Sequence, residues 1–193
     1  MVEHLSKDFW KGRYQLDSTG WDLGEISRPI KEYFDQVEDK SIRILIPGSG
    51  NGHEAEYLHQ LGFKNVHVLD FASEPLTNLQ NRVPSFPIKN IHCGDFFLHE
   101  GEYDIIIEQT LFCAIDPRLR QKYAENCSRL LNPEGIVVGL LFMFELDGGP
   151  PYGGSKNEYL KYFKNKFSII KMEKCYNSIQ SREGRELFIK IKK

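Results

Sequence analysis

Ile44-Leu45-Ile46-Pro47-Gly48-Ser49-Gly50-Asn51-Gly52-His53-Glu54 is the stretch that decides the fold of this chain. An apolar run, Ile42–Ile46, reads as a buried strand and passes straight into three glycines at alternate positions. A segment with helical spacing follows, His53–Leu61, in which Ala55, Leu58 and Leu61 share a face. Glycines at a strand-to-helix turn permit positive φ and let a ligand approach the backbone. The helix N-terminus beyond them offers free N–H groups to an anion. The spacing is GxGxG rather than GxGxxG, which suits a cofactor with a carboxylate at this turn better than one with a pyrophosphate. A glycine turn without a ligand is the plainer alternative, and the strand–loop–helix context argues against it.

The same alternation runs along the chain. Val66–Leu69, Ile91–His92, Tyr103–Ile107 and Ile136–Phe142 read as further buried strands. Between them Glu74–Asn81 and Pro117–Leu131 carry helical spacing. In the second, Leu119, Tyr123, Cys127, Leu130 and Leu131 line one face, with Asp116 as N-cap and Pro117 at the first position. Asn132-Pro133-Glu134-Gly135 ends it. Phe167–Tyr176 and Glu186–Ile191 read as two strands joined without a helix, hence an antiparallel hairpin. The expected architecture is α/β: a doubly wound, Rossmann-like, mostly parallel seven-stranded sheet with a C-terminal antiparallel hairpin. Residues 1–193 are read as one domain, with 1–41 an N-terminal lid or cap segment and 42–193 the core.

Strand ends then suggest a ligand. Asp70 closes the second strand 20 residues beyond Gly50, placed to accept hydrogen bonds from both hydroxyls of a ribose. Asp95 and Phe96 follow the third strand, where an acid can accept from an adenine amine and an aromatic ring can cover the base. Glu108-Gln109-Thr110 follows the fourth. An adenosyl cofactor with a carboxylate fits these groups. A solvated strand-end Asp70 and a merely structural Phe97 are the bland alternatives.

Composition removes other classes. The 193 residues carry 25 Lys+Arg and 27 Asp+Glu, a net charge of −2, which gives no support for a nucleic-acid partner held by phosphate contacts. The longest apolar run, Gly135–Phe144, is ten residues and too short to span a bilayer. No apolar signal segment is seen at the N-terminus, so a cytoplasmic location is expected. Cys93, Cys113, Cys127 and Cys175 form no CxxC pair and read as free thiols; no histidine has metal-ligand spacing, so no metal is expected.

Taken with their flanks, these residues resemble class I S-adenosylmethionine-dependent methyltransferases. Phe9-Trp10-Lys11-Gly12-Arg13-Tyr14, Thr19-Gly20-Trp21-Asp22-Leu23-Gly24, Pro47–Glu54, Glu108–Pro117 and Gly149-Pro150-Pro151-Tyr152-Gly153-Gly154 are similar to the motifs of the thiopurine S-methyltransferase family, which includes thiol, thiocyanate and halide methyltransferases. The resemblance spans about residues 5 to 192. It implies S-adenosyl-L-methionine as cofactor, with Trp10, Tyr14 and Trp21 closing over it, the Gly48 loop and Gly50 on its methionine moiety, Asp70 on the ribose, Asp95 and Phe96 at the adenine, and Gln109 just past the fourth strand. It also implies Arg120 and Arg182 on the substrate side; ordinary ion pairs are the alternative for both. Tyr14 stands where the plant members commonly have a second tryptophan, and Leu111 replaces the first Phe of a Phe-Phe-Cys stretch.

The implied reaction is methyl transfer to a small soft nucleophile: a thiol, hydrosulfide, thiocyanate, a halide or a thiopurine-like sulfur. Such acceptors need little or no general base, and no catalytic residue is singled out. Cys113 reads as packing. Three rivals stay open: a nicotinamide-dependent oxidoreductase, a non-catalytic S-adenosylmethionine-binding protein, and a methyltransferase acting on a macromolecule. The oligomeric state is not legible.

Overall fold

A computed structural model describes residues 5–145 and 148–193. Its strands are β1 (Arg43–Pro47), β2 (Asn65–Asp70), β3 (Ile91–Cys93), β4 (Tyr103–Gln109), β5 (Leu131–Phe142), β6 (Ser168–Lys174) and β7 (Glu186–Lys192). The helices are α1 (Lys7–Gln15), α2 (Arg28–Asp35), α3 (His53–Gln60), α4 (Ser73–Arg82), α5 (Arg120–Leu130) and α6 (Lys156–Phe163). One seven-stranded sheet has the order β3-β2-β1-β4-β5-β7-β6. β1 to β5 pair in parallel, and β7 inserts antiparallel between β5 and β6. The strand order reverses between β1 and β4, where an open α/β sheet leaves a crevice for ligands.

The apolar strands are explained by helices on both faces. On one face Leu45, Ile106, Val137 and Ile189 pack with Tyr123, Cys127 and Leu130 of α5 and Tyr159 and Phe163 of α6. On the other Ile44, Ile46, Ile105 and Ile107 pack with Ile30 and Phe34 of α2, Ala55 and Leu58 of α3 and Leu79 of α4. Among the described residues no helix is long and apolar enough to cross a membrane.

The structure refines several boundaries. β1 begins one residue later than Ile42, and β5 starts at Leu131, because Leu131 already pairs with Tyr103 across a register shift. The helix expected from Pro117 opens as a 3-10 turn, Pro117–Leu119, with Asp116 Oδ1 accepting from the Arg118 N–H at 2.8 Å; α5 proper starts at Arg120. The expected lid segment divides. α1 buries no residue in the core, whereas Ile30 and Phe34 of α2 are fully buried and Phe34 meets Phe63 edge-on at 5.6 Å. Met1–His4 of that segment lie outside the described residues. α6 was not anticipated at all. The four cysteines are free thiols.

β4 and β5 approach so closely at Gly139 that a Cβ there would collide with the Glu108 carbonyl oxygen. Gly139→Ala must push the two central strands apart, and a loss of about 2–3 kcal/mol is expected from such overpacking. Urea unfolding monitored by circular dichroism measures it; an unchanged midpoint would show that the strands can yield.

Candidate active site

The crevice is built on three left-handed glycines, Gly48 (φ 62°), Gly50 (φ 52°) and Gly52 (φ 71°). Their turn is fastened to β2. The Ser49 N–H donates to the Leu69 carbonyl at 3.2 Å and the Gly50 N–H to Asp70 Oδ2 at 2.9 Å. Asp70 Oδ1 accepts from the Ala72 N–H at 2.9 Å, and the Asp70 carbonyl accepts from the Gly94 N–H at 2.9 Å. Burial pushes the Asp70 carboxyl above its ordinary pKa, and the amides of Ala72, Gly50 and Phe71 pull it back. Each oxygen receives one backbone donor and keeps acceptor capacity for a ligand hydroxyl.

Over this floor lies α1, started by Ser6, whose hydroxyl accepts from the Phe9 N–H at 3.2 Å. Trp21 is its hub: Trp10 meets it edge-on at 5.5 Å, Tyr14 at 5.8 Å, and the Arg13 guanidinium lies 5.4 Å over its ring. Burial and the Asp70 charge raise the Tyr14 phenol pKa, keeping it protonated. The next residue, Asp22, latches the segment to the glycine turn. It accepts from the Asn51 side-chain amide, pairs with His53 Nε2 at 2.8 Å and accepts from the Gly24 N–H at 2.8 Å. Arg182 Nη2 holds the Trp21 carbonyl at 2.7 Å from the far side, and Arg182 itself pairs with buried Glu186 at 3.5 Å.

Two chambers result, meeting at Gly48, Thr110 and Trp21. The larger, about 440 Å³, has the volume of a small-molecule site. Trp10, Tyr14, Trp21, Gly48, Asp70, Asp95, Phe96 and Arg182 line it together. The smaller, about 40 Å³, is lined by Gly50, Gln109, Ser49, Asn51, His53 and Glu54 among others. Ser49 Oγ and Gln109 Oε1 are buried there without a hydrogen-bond partner. Orphaned polar atoms beside the N-terminus of α3 suit a ligand end that both donates and accepts, as the ammonium and carboxylate of a methionine moiety do. The residues present therefore fit S-adenosylmethionine.

One expected residue is elsewhere. Arg120 lines neither chamber; it is 2% exposed and bonds Glu158 and the Tyr152 and Gly153 carbonyls. The helix register explains this. α5 starts at Arg120, so its side chain points along the flank of α6 rather than into the crevice. Asp95 spends one oxygen on the Phe97 N–H at 2.8 Å, capping the turn Phe96–Leu98. Sequence reasoning missed Arg13, Arg185, Phe142, Phe144, Pro150 and Pro151 in the cavity wall. The Phe9–Tyr14 and Gly149–Gly154 motifs hinted at Arg13 and the prolines; Phe142, Phe144 and Arg185 carry no local signal, because the end of β5 and the approach to β7 meet only in the fold.

Sheet order, switch-point crevice and glycine turn together define a class I S-adenosylmethionine-dependent methyltransferase. More narrowly, the chain belongs to the thiopurine S-methyltransferase family, whose family model matches residues 5–191. It is 30% identical over 169 residues to a probable thiol methyltransferase 2 of Arabidopsis thaliana, covering 83% of this chain and 74% of that one. It is 25% identical to thiocyanate methyltransferase 1 of Brassica oleracea, covering 100% and 88%. Its fold superimposes on the 1,6-didemethyltoxoflavin-N1-methyltransferase of Burkholderia thailandensis, solved with S-adenosylhomocysteine, with a TM-score of 0.74 at 15% identity, covering 97% and 86%.

The latch carries a pH dependence. Hydrogen bonding to Asp22 raises the His53 pKa above its ordinary 6.5, with Arg82 opposing and Glu54 assisting, while the same bond holds Asp22 far below its ordinary 3.8. A raised base stabilises fully below its unfolded pKa and loses that contribution as pH rises through the folded value; a lowered acid loses its own only at strong acid. The latch is therefore complete from about pH 4 to about 6.5 and weakens as pH rises through the elevated His53 pKa. Once the intrinsic base catalysis of exchange is divided out, the protection of amides 19–24 should fall over that rise in the wild type. In His53→Gln the protection should not change over the same range; identical protection profiles in both proteins would exclude His53.

Proposed function

We propose that the crevice holds S-adenosylmethionine with its methionine end in the small chamber and its adenosine along Asp70, Asp95 and Phe96, and that the rest of the large cavity receives a small, soft, anionic nucleophile. When bound, the cofactor supplies a methyl group already activated on a sulfonium sulfur. What this chain's residues contribute is orientation and a dry enclosure. Asp70 accepts the ribose hydroxyls, Tyr14 closes over Gly50, and Trp10 and Trp21 shut out water.

A single observation carries the choice of acceptor: among the described residues, the acceptor end offers cations and aromatic rings but no free base. Arg13, Arg182 and Arg185 line the cavity with Phe142 and Phe144, and Arg185 lies 4.3 Å over the Phe144 ring. The carboxylates of Asp70 and Asp95 keep acceptor capacity, and in this reading the ribose hydroxyls and the adenine amine take it up at the adenosine end. The Cys113 thiol donates to the Thr110 carbonyl at 3.1 Å, and burial drives its pKa far up. His53, in the smaller chamber, is paired with Asp22. A neutral amine or alcohol would find no group to take its proton. A thiolate, hydrosulfide, thiocyanate or iodide arrives without one to lose, and the arginines raise its local concentration.

An acceptor screen tests this reading: hydrosulfide, thiocyanate, iodide, an aromatic thiol and a thiopurine, against a protein lysine, an RNA and a catechol. Methylation confined to the soft nucleophiles is expected. Turnover of an amine or RNA with none of the soft group would reverse it.

Asp70→Asn tests the cofactor arm. The amide keeps the shape but places a donor where one carboxylate oxygen accepts, so a loss of about 1–3 kcal/mol in S-adenosylhomocysteine binding is expected. Calorimetry on the folded variant decides; wild-type affinity would remove Asp70 from the ribose.

A further inference from the structure

We propose that Arg120 is a positioning residue that sets the width of the acceptor cavity from outside, by pinning the wall Pro150–Gly154, and that it never touches the acceptor. The inference rests on reading the large cavity as the acceptor site.

Pro150 and Pro151 form part of the cavity wall. The chain immediately after them is held by Arg120. Its Nη2 donates to the Gly153 carbonyl at 2.9 Å and to the Tyr152 carbonyl at 3.3 Å, and its Nη1 to Glu158 Oε1 of α6 at 2.7 Å. The guanidinium plane lies 4.9 Å over Phe112 and 5.7 Å over Tyr159. Two further bonds complete the attachment: the Tyr152 N–H donates to the Cys113 carbonyl at 2.7 Å and the Gly154 N–H to the Phe144 carbonyl at 2.9 Å. Cys113 and Phe144 line the same cavity. One buried guanidinium thus joins the proline wall, the turn after β4 and α6.

Burying a guanidinium is costly unless its donors are satisfied; here Nη1 and Nη2 are bonded, Nε is buried without a partner, and a single carboxylate, Glu158, balances the charge. The fork geometry matters. Two loop carbonyls and a carboxylate need several donors in one plane, which lysine cannot offer. Weakening this joint frees the prolines to move relative to Cys113 and Phe144. An acceptor large enough to rest on the prolines loses its wall, whereas hydrosulfide is too small to notice. A direct anion contact makes the opposite forecast, with every anionic acceptor suffering alike.

The experiment uses the full chain with Glu158→Gln and Arg120→Lys. Glu158 is partly exposed and lines neither chamber, so its variant remains usable if the Arg120 variant fails to fold. Amide exchange at Tyr152 and Gly154 should quicken about tenfold in each folded variant, the size of one lost hydrogen bond. S-adenosylhomocysteine affinity should stay within about twofold. The KM of an aromatic thiol should rise about tenfold while that of hydrosulfide stays within about twofold. Equal KM increases for both thiols in Arg120→Lys, with Glu158→Gln unchanged, would overturn the proposal in favour of direct contact; so would unaltered exchange at Tyr152 and Gly154 in Glu158→Gln. Should the wild type methylate neither thiol, the proposed function falls, and the exchange measurement alone decides the pin.

Discussion

The Asp70 carboxylate, buried at the end of β2 and shared between the Gly50 and Ala72 amides, is the constraint on which this site depends. A carboxylate taken out of water is costly unless donors replace its hydration. Here two backbone turns supply them, and each turn is shaped by doing so. The glycine turn is drawn against β2 by the Ser49 and Gly50 amides. The turn into α4 is drawn in from the other side. The Asp70 carbonyl then fixes Gly94, so the third strand end takes its place by the same residue. Tyr14 stands above, with its hydroxyl 3.1 Å from where a Gly50 side chain would begin, and burial together with the Asp70 charge keeps it a donor.

The lid follows from this floor by independent attachments rather than by hydrophobic burial. α1 has no fully buried residue, so its position relies on Trp21 and on polar ties to three separate elements: Gln15 and Lys11 to Glu74 of α4, Asp22 to the start of α3, and the Trp21 carbonyl to Arg182 beside β7. A segment held this way opens at modest cost, which is the property a cover over an exchanging cofactor requires. Arg182 contributes to both halves of the site, since the guanidinium that grips the lid also lines the cavity. The cover over the crevice and the wall of the large cavity are therefore tied through one side chain.

What the sequence revealed, and what it hid, follows from the range of the interactions. The glycine turn, Asp70 and the strand periodicity are local signals, and the structure places them on β1, β2 and the turn between them. α6 escaped, although Ser155 caps it by accepting from the Glu158 N–H at 3.3 Å and the Ser-x-x-Glu spacing is a legible start. The residues of α6 that pack on the core, Tyr159, Leu160, Tyr162 and Phe163, span little more than one turn, too short a run to register as a period. Arg120 shows the opposite failure. Motif matching assigned it to the substrate, but a motif fixes neither the register of α5 nor the path of a loop 30 residues later. The partner that claims this arginine, Glu158, is 38 residues away. Asp22 was quoted within a motif without a role, because His53 and Asn51 meet it only once the chain has folded.

The boundary between cofactor and acceptor rests on a strained turn. Thr110 adopts φ 63°, a left-handed conformation that a β-branched residue enters at a cost of about 1–3 kcal/mol. Its neighbours enforce it: the buried Glu108 carboxyl accepts from the Phe112 N–H at 2.8 Å and from the Tyr123 hydroxyl, and the Cys113 thiol holds the Thr110 carbonyl. Burial lifts Glu108 to a pKa of about 7, the sign of a group kept there for the bonds it makes. The turn aims Leu111 onto Gly48, so tightly that a side chain at Gly48 would begin 2.9 Å from Leu111 Cδ1. Leu111 therefore caps the glycine loop on one side and faces the acceptor cavity on the other. Beyond it the wall is made by segments that the sheet does not hold: the turn after β4, the loop after β5, the hairpin before β7, and α1. Apart from Leu111 and Tyr14, which pack on Gly48 and Gly50, their cavity-lining residues lie away from the glycine turn. In the reading proposed above, strand ends fix the cofactor, while the acceptor wall is left to loops that are held by their ties to one another.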